Sequence, residues 1–174
     1  KVREYKLIED YELFFGEFMG NQYIILLFPD VWSYELFELY FPGSSWNDSD
    51  IIKASTDNEW FEGRKSYASN TVGGYYAARI GILEKLKNIK RQASVLVLRF
   101  ETPEYWASLG VLVVRMAARK SLINEPFIFD SKEALLEKTK ELVFRILKFK
   151  TDYILNQSIL LKNLRQQKRL NDFF

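Results

Sequence analysis

The chain has 174 residues and a net charge of +2 at pH 7, and 48% of its residues are hydrophobic. This length and composition are typical of one globular domain with a sizeable core. It contains neither Cys nor His, which excludes disulfides, Cys/His zinc sites, Ser-His-Asp triads and thiol nucleophiles within the chain. Any chemistry would therefore depend on carboxylates, Lys, Tyr, Ser or Arg, and the lack of disulfides fits the cytoplasm.

Two buried strands are predicted. The segment NQYIILLF, Asn21–Phe28, is β-branched and apolar and ends before Pro29, which is typical of a buried strand. Further along, ASVLVLRF, Ala93–Phe100, has the same character. Between them, SYELFELYF, Ser33–Phe41, fits either a strand or a short helix, and residues 43–59 have the composition of a loop.

Four helical segments are predicted around and after these strands. They are residues 72–91, the second half of 103–123, residues 130–149, and the stretch from 151 to about 165. Asn70 or Thr71 is expected to cap the first helix, and Asp130 with Glu133 gives a capping-box pattern at the third. The predicted fold class is α+β (or α/β): a small central sheet packed with several helices, a helical C-terminal region and a flexible tail.

Charge is distributed unevenly along the chain. Residues 1–63 carry 4 basic and 13 acidic side chains, a net charge of −9, whereas residues 64–174 carry 21 basic and 10 acidic side chains, a net charge of +11. A basic face of this kind would suit an anionic polymer such as DNA. The alternative is that the two oppositely charged regions pack against each other.

The chain ends in a motif of one amide, one aliphatic and two aromatic side chains: Gln167-x-x-Leu170-x-x-Phe173-Phe174. In a single helical turn the three apolar side chains would share one side and form a hydrophobic plug. The motif resembles the PIP box, the peptide by which replication and repair proteins dock on PCNA, the DNA sliding clamp. We therefore divide the chain into a single α+β domain, 1–165, and a PCNA-binding tail, 166–174. The alternative is that both rings fold back and complete the core of the domain.

Four stretches of the chain, in this order, resemble the archaeal Nre proteins, a DNA repair family. They are LLFPDVWSYELFELYFPGSSW, GGYYAAR, EYWASLGVLVVRMAAR and QQKRLNDFF. The resemblance is to the C-terminal part of that family, and it implies a cytoplasmic, nucleoid-associated archaeal protein that is recruited to PCNA during repair of DNA damage. Some family members carry a zinc motif near the N-terminus. This chain lacks Cys and does not begin with Met, so we expect a fragment of a longer protein with no cofactor of its own.

Nine basic residues are candidate DNA contacts because they cluster near helix ends in the basic part of the chain. They are Arg64, Lys65, Arg79, Lys87, Lys90, Arg91, Arg115, Arg119 and Lys120. Arg79 falls within the apolar helical stripe that Tyr75 and Ile82 define, so its guanidinium needs a partner. That partner is either a carboxylate from the acidic first third or a bound phosphate.

A pair of glycines, Gly73-Gly74, marks the expected start of the same helix. Free backbone N–H groups at a helix start favour an anion, so this pair is a candidate phosphate cradle. The alternative is that the glycines permit close packing of the backbone.

Two carboxylates, Glu101 and Glu104, are the candidates for catalysis, because they follow a buried strand with spacing suited to a metal ion. The chain has four tryptophans, which either stack on an unpaired base or pack at the edge of the core; the second role is favoured. They are Trp32, Trp46, Trp60 and Trp106.

The function predicted from these features is that of a DNA repair factor that docks on PCNA and contacts DNA through a basic face. The alternatives are a nuclease- or glycosylase-like enzyme and a non-enzymatic adaptor. A membrane partner is not expected, because no apolar run approaches the roughly 18 residues that span a bilayer.

Overall fold

The computed structural model describes residues 1–71, 73–105 and 110–164. Its strands are β1 (Lys6–Leu7), β2 (Tyr11–Phe18), β3 (Asn21–Phe28), β4 (Ser33–Tyr40), β5 (Lys53–Glu59), β6 (Arg91–Gln92), β7 (Ser94–Glu101) and β8 (Phe127–Phe129). Its helices are α1 (Gly74–Ile89), α2 (Gly110–Ile123), α3 (Lys132–Leu147) and α4 (Asp152–Gln157), after a short 3₁₀ turn at Val2–Glu4. Residues 159–164 are helical as well. The predicted mixed α+β class is confirmed.

Six of the strands form one mixed sheet in the order β5-β4-β7-β3-β2-β8, and β1 pairs with β6 separately. Within the large sheet β4 and β7 run parallel, and the other neighbours are antiparallel. The parallel pair is possible because the chain between β4 and β7 includes α1, which provides the long crossover that parallel strands need. This arrangement places β7 at the centre of the sheet.

Alternate side chains of the central strands form two separate apolar layers. The layer on one face joins β3 and β7 to α1 and α2, and includes Ile25, Val97, Ile82 and Ala117. The layer on the other face joins the same strands to α3 and α4, and includes Ile24, Leu98, Leu135 and Ile154. A sheet covered on both faces explains why β3 and β7 are nearly continuous apolar sequences.

The strand predictions are partly confirmed. The strand predicted at Asn21–Phe28 is β3, and the one predicted at Ala93–Phe100 is β7, one residue further along. The ambiguous segment Ser33–Phe41 is the strand β4. The loop predicted for residues 43–59 is wrong in its last part, because the polar segment Lys53–Glu59 pairs with β4 as the edge strand β5.

The helix boundaries also need correction. The N-cap of α1 is Gly73, with φ 83°, and neither Asn70 nor Thr71 caps the helix; their backbone amides donate to Asp57 instead, at 2.8 and 2.9 Å. The N-cap of α3 is Ser131, whose hydroxyl accepts from the Ala134 amide at 3.2 Å, so the capping box predicted from Asp130 is one residue out of place.

The helix predicted from 151 to 165 is broken in two. α4 ends at Gln157, and the helical residues 159–164 follow after Ser158. The predicted tail, 166–174, lies outside the described residues, so the division into a domain and a tail stays a prediction. Across the part of the chain that the structure describes, every helix is too short or too polar to cross a bilayer.

Candidate functional site: a buried arginine between two glutamates

Six polar side chains lie side by side on the α1 and α2 face of the sheet, where the apolar layer ends. The strand registers place two from each central strand in adjacent positions: Asn21 and Tyr23 of β3, Arg99 and Glu101 of β7, and Glu38 and Tyr40 of β4. Arg99 pairs across to Tyr23 on one side and to Glu38 on the other. Because residues two apart on a strand share a face, this patch is continuous.

Arg99 is the centre of this polar patch, and its side chain is almost fully buried, with 4% of the residue exposed. One terminal nitrogen donates to Glu38 Oε1 at 2.7 Å, and the other donates to Glu101 Oε2 at 3.0 Å. Its Nε donates to Asn21 Oδ1 at 2.8 Å. The buried charge is therefore paired and hydrogen-bonded through every guanidinium nitrogen, as a charge of this burial requires.

Two carboxyl groups, those of Glu38 and Glu101, share the single guanidinium of Arg99. Burial raises the pKa of Glu101 from its usual value near 4.5 to about 7; the Arg99 charge opposes this rise, and the Glu38 charge adds to it. Among the described residues, three buried polar atoms of this cluster have no hydrogen-bond partner: Glu101 Oε1, the Tyr23 hydroxyl and Asn21 Nδ2. Buried polar atoms without a partner are uncommon in folded proteins.

The start of α1 packs directly against Glu38. The Tyr40 hydroxyl donates to Glu38 Oε2 at 2.7 Å, while Glu38 Oε1 occupies the space into which a Cβ at Gly74 would extend. A carboxylate at a helix N-terminus is favoured by the helix dipole. The glycine pair thus serves close packing, and the phosphate cradle proposed for Gly73-Gly74 is not supported, because Glu38 already holds that position.

A cavity of about 450 Å³ opens beside this cluster. Its lining residues come from β4, the following loop, the starts of α1 and α2, and β7: Tyr40, Trp46, Asn70, Gly73, Gly74, Arg99, Tyr105, Gly110, Val111 and Val114. Trp46 is 67% exposed, and the Arg99 guanidinium lies 5.7 Å from the centre of the Tyr105 ring. The cavity therefore combines aromatic walls with a charged floor.

Four of the nine candidate DNA contacts are held by carboxylates. Arg79 makes a two-pronged ion pair with Glu59, with nitrogen–oxygen distances of 2.8 and 3.0 Å, so the ion-pair interpretation of this residue is confirmed. The other three pairs are Arg64 with Asp57, Arg91 with Glu9, and Arg119 with Glu84. Three of these four pairs join the acidic first part of the chain to the basic remainder, so the two regions do pack against each other.

The other five candidate contacts have no carboxylate partner among the described residues: Lys65, Lys87, Lys90, Arg115 and Lys120. Lys87 and Lys90 are exposed at the end of α1. Lys87 also lines a groove of about 410 Å³ with Lys1 and Arg3 from the start of the chain. The exposed ammonium groups of Lys65, Lys87 and Lys90 are available to an anionic partner, whereas that of Lys120 packs on the Phe18 ring, 3.9 Å from its centre.

The two candidate catalytic carboxylates have separate roles. Glu101 is part of the Arg99 cluster, whereas Glu104 is exposed and accepts a short hydrogen bond from Thr102. Within the described ranges, no three acidic side chains lie close enough together to hold a metal ion. The structure therefore gives no support to a metal-dependent nuclease site at these residues.

The tryptophans divide between the two roles considered. Trp32 is buried and donates to Glu59 at 2.8 Å, and Trp60 packs partly buried against the second apolar layer. Trp46 departs from the favoured core role, since its side chain is exposed at the cavity. Trp106 lies outside the described residues.

Sequence reasoning missed most of the cluster around Arg99. A signal was available in β7, where an arginine and a glutamate two residues apart interrupt an otherwise apolar strand. Glu38 carried a second signal, because it lies three residues after Glu35 in the same strand and so on the opposite face. What the sequence did not show is that β4 and β7 are parallel neighbours, which places Glu38 beside Arg99.

Comparison with known families matches both parts of the chain. Residues 1–47 match the profile described as "Archaeal Nre, N-terminal", and residues 59–173 match "Archaeal Nre, C-terminal". The chain was expected to resemble only the C-terminal part of the Nre proteins, and that expectation is too narrow because the N-terminal profile matches as well. Strands β3 and β4 come from the first match and β7 from the second, yet the three are neighbours in one sheet.

Similar proteins are found in two archaea. The chain is 37% identical over 127 residues to a DNA repair protein NreA of Haloferax volcanii, covering 72% of this chain and 30% of that protein. It is 38% identical over 131 residues to the NreA of Archaeoglobus fulgidus, covering 75% of this chain and 33% of the relative. A DNA repair protein NreB of Archaeoglobus fulgidus is 34% identical over 137 residues, covering 78% of this chain and 34% of the relative.

The chain thus spans about a third of the length of the curated relatives that it matches. A comparison with solved structures finds none that matches it. The C-terminal profile covers more than half of the chain, and the N-terminal profile covers most of the remainder. This chain belongs to the archaeal Nre family.

Proposed function

We propose that this chain acts in DNA repair and is recruited to PCNA through the PIP box at its C-terminus, where it contacts DNA through exposed basic residues. The observation that carries the proposal is the spacing Gln167-x-x-Leu170-x-x-Phe173-Phe174 in a member of a family whose similar proteins are named for DNA repair. Such a protein would work in the archaeal cytoplasm, at the nucleoid.

The tail would bind by inserting its apolar side chains into a groove on the clamp. Leu170, Phe173 and Phe174 would fill the groove in one helical turn, and the Gln167 amide would reach a polar pocket one turn earlier. Full burial of each apolar side chain contributes roughly 1.5–3 kcal/mol, less the cost of ordering the peptide. The resulting affinity would be about micromolar.

The chain just before the tail is held firmly to the domain, which supports this role. Residues 159–164, the last that the structure describes, are helical. Leu160 and Leu161 of this helix are buried in the second apolar layer. A docked tail would therefore keep the domain close to the clamp.

Contact with DNA is proposed for the groove along α1. Lys1, Arg3 and Lys87 line it, and Lys90 follows at the end of the helix. Ammonium and guanidinium groups on an exposed groove suit the phosphate backbone, giving contacts that are independent of sequence and sensitive to salt.

Calorimetric titration of PCNA tests the recruitment step. The complete chain is compared with a version that ends at Arg165 and so lacks the motif. We expect the complete chain to bind with about micromolar affinity and the shortened chain to release no measurable heat. Equal affinity of the two would contradict the proposal.

A further inference from the structure

We propose that the cavity beside Arg99 binds an unpaired nucleobase. This inference rests on the proposed contact with DNA and names the part of DNA that the cavity would recognise. The argument uses the size of the cavity, its walls, its charge and its position relative to the basic groove.

The size and the walls of the cavity suit a flat aromatic ligand. Its volume of about 450 Å³ falls in the range of about 300–1,000 Å³ that is common for small-ligand sites. Three aromatic side chains, Tyr40, Trp46 and Tyr105, line it together with Val111 and Val114. Unpaired bases are bound in this way by proteins, through stacking on aromatic rings and contact with apolar side chains.

The charge of the floor selects against phosphate. Arg99 lines the cavity, but all of its guanidinium nitrogens already donate to Glu38, Glu101 and Asn21. With two carboxyl groups for one guanidinium, the cluster offers an anion no unpaired positive charge. A ligand that offers hydrogen-bond donors and carries no negative charge is favoured, and the amino groups of adenine, cytosine and guanine are such donors.

Among the described residues, three buried polar atoms of the cluster around Arg99 lack a hydrogen-bond partner within the protein. They are Glu101 Oε1, the hydroxyl of Tyr23 and Asn21 Nδ2. A buried carboxylate oxygen that accepts nothing loses the hydrogen bonds that water would supply.

The cavity and the basic groove are close enough to serve one DNA molecule. Gly74 lines the cavity and Lys87 lines the groove, and both belong to α1. Their separation of 13 positions along the helix corresponds to roughly 20 Å at about 1.5 Å per residue. Duplex DNA rises about 3.4 Å per base pair, so a site of six or so pairs would reach from the groove to the cavity.

Ligand-observed NMR titration with free nucleosides tests the cavity separately from the basic groove, because nucleosides carry no phosphate for the groove to bind. The probes are deoxyadenosine, deoxycytidine, deoxyguanosine, thymidine and inorganic phosphate, each added to the complete chain. We expect saturable binding of the three amino-bearing nucleosides, at least about tenfold weaker binding of thymidine, which lacks an amino group, and no displacement of the bound nucleosides by phosphate. Absence of saturable nucleoside binding, or displacement of the bound nucleosides by phosphate, would overturn the inference.

Two variants and a matched control locate the binding. Val111→Trp adds a large ring at the cavity, where Val111 is 50% exposed, and Trp46→Ala removes an exposed aromatic wall. The control is Leu112→Trp, the next residue of α2, which is 57% exposed and does not line the cavity. We expect at least a tenfold loss of nucleoside binding in both cavity variants and none in the control. Unchanged binding in Val111→Trp, or in Trp46→Ala if the former fails to fold, would refute the cavity as the site.

A duplex with one unpaired base, compared with the fully paired duplex, separates this inference from the proposed function. We expect the complete chain to prefer the unpaired base at least fivefold or so, and Val111→Trp to bind both duplexes equally. If the chain binds both duplexes equally and binds no nucleoside, only the proposed role of the cavity is contradicted. Nucleoside binding by a chain that binds neither duplex contradicts the proposed DNA contact instead.

Discussion

Glu35 of β4 accepts a hydrogen bond from Ser158, 123 positions later in the chain, at 2.5 Å. The backbone amides of Ile159 and Leu160 also donate to the Glu35 carboxylate, each at 3.1 Å. The Ser158 hydroxyl in turn accepts from the Leu161 amide at 3.0 Å. A carboxylate from the sheet and a local serine thus cap the N-terminus of the same helix, which begins at Ile159.

Replacement of Glu35 by Gln is expected to loosen this helix. Glutamine presents one acceptor oxygen and one amide group that opposes the backbone donors, so we expect a loss of about 1–3 kcal/mol in the free energy of unfolding. Hydrogen exchange at the amides of residues 159–161 should accelerate along with it. The matched control is Glu125→Gln at an exposed position, for which we expect less than about 0.5 kcal/mol. Unchanged exchange at residues 159–161 would show that the cap contributes nothing.

Glu101 should make the stability of the chain depend on pH. Its pKa is near 4.5 when exposed and about 7 in the fold, so between these values the folded state holds a proton that the unfolded state has lost. The stabilising contribution is complete below about pH 4.5 and disappears as the pH rises through 7. At about 1.36 kcal/mol per unit, the loss amounts to as much as about 3 kcal/mol.

Urea unfolding of the unmodified chain and of Glu101→Gln, at several pH values from 4.5 to 8, measures this effect. The variant cannot titrate at that position, while other buried carboxylates such as Glu35 are unchanged in it. We therefore expect the stability of the unmodified chain, relative to the variant, to fall steadily as the pH increases. A difference between the two that stays constant with pH would contradict the burial of an ionisable group at Glu101.

Gly74 should be the least replaceable glycine of α1. A Cβ at this position would overlap the Glu38 carboxylate, which Arg99 and Tyr40 hold in place. We expect Gly74→Ala to cost about 1–3 kcal/mol. The control, Gly81→Ala, lies in the same helix with its nearest neighbour at 3.4 Å, and should be neutral or stabilising by up to about 1 kcal/mol. Thermal melts of both variants check this, and equal melting temperatures would count against close packing at Glu38.

Lys87 and Lys90 should carry part of any contact with DNA. We expect the double variant Lys87→Ala/Lys90→Ala to bind duplex DNA more weakly, and its logarithmic salt dependence to fall by roughly one or two units because each phosphate contact contributes about 0.9. The measurement is fluorescence anisotropy at several salt concentrations. The control, Lys138→Ala/Lys140→Ala, removes two lysines of α3 that are held in ion pairs across the sheet from α1. DNA affinity independent of salt, or absent from the unmodified chain, would favour the adaptor alternative.

The local sequence pattern was sufficient to predict those strands and helices whose residues strongly favour one type of secondary structure. β3 and β7 are apolar and β-branched, and α1 is rich in helix formers, so these elements were found within a residue or two. β5 was missed because an edge strand needs no apolar face, and Lys53–Glu59 is polar throughout most of its length. β2 was not predicted either, since Gly16 interrupts it; that glycine is needed because a side chain there would overlap Ser121 of α2.

The candidate site could be predicted only in fragments. Arg79 was correctly expected to need a carboxylate, because a charged group on an apolar helical stripe has few alternatives. Glu101 was singled out for its position after a strand, but its partner Arg99 was not. Strand order and register decide which charges meet, and neither follows from one sequence without the long-range pairing of β4 with β7.

Calorimetric titration of PCNA with the double variant Phe173→Ala/Phe174→Ala tests whether the tail is the docking element. Loss of two aromatic side chains, each contributing roughly 1.5–3 kcal/mol when buried, predicts at least about a hundredfold loss of affinity. Asn171→Ala, which alters a polar residue between the apolar ones, should bind as the unmodified chain does. Equal affinity of all three chains would contradict recruitment through this motif.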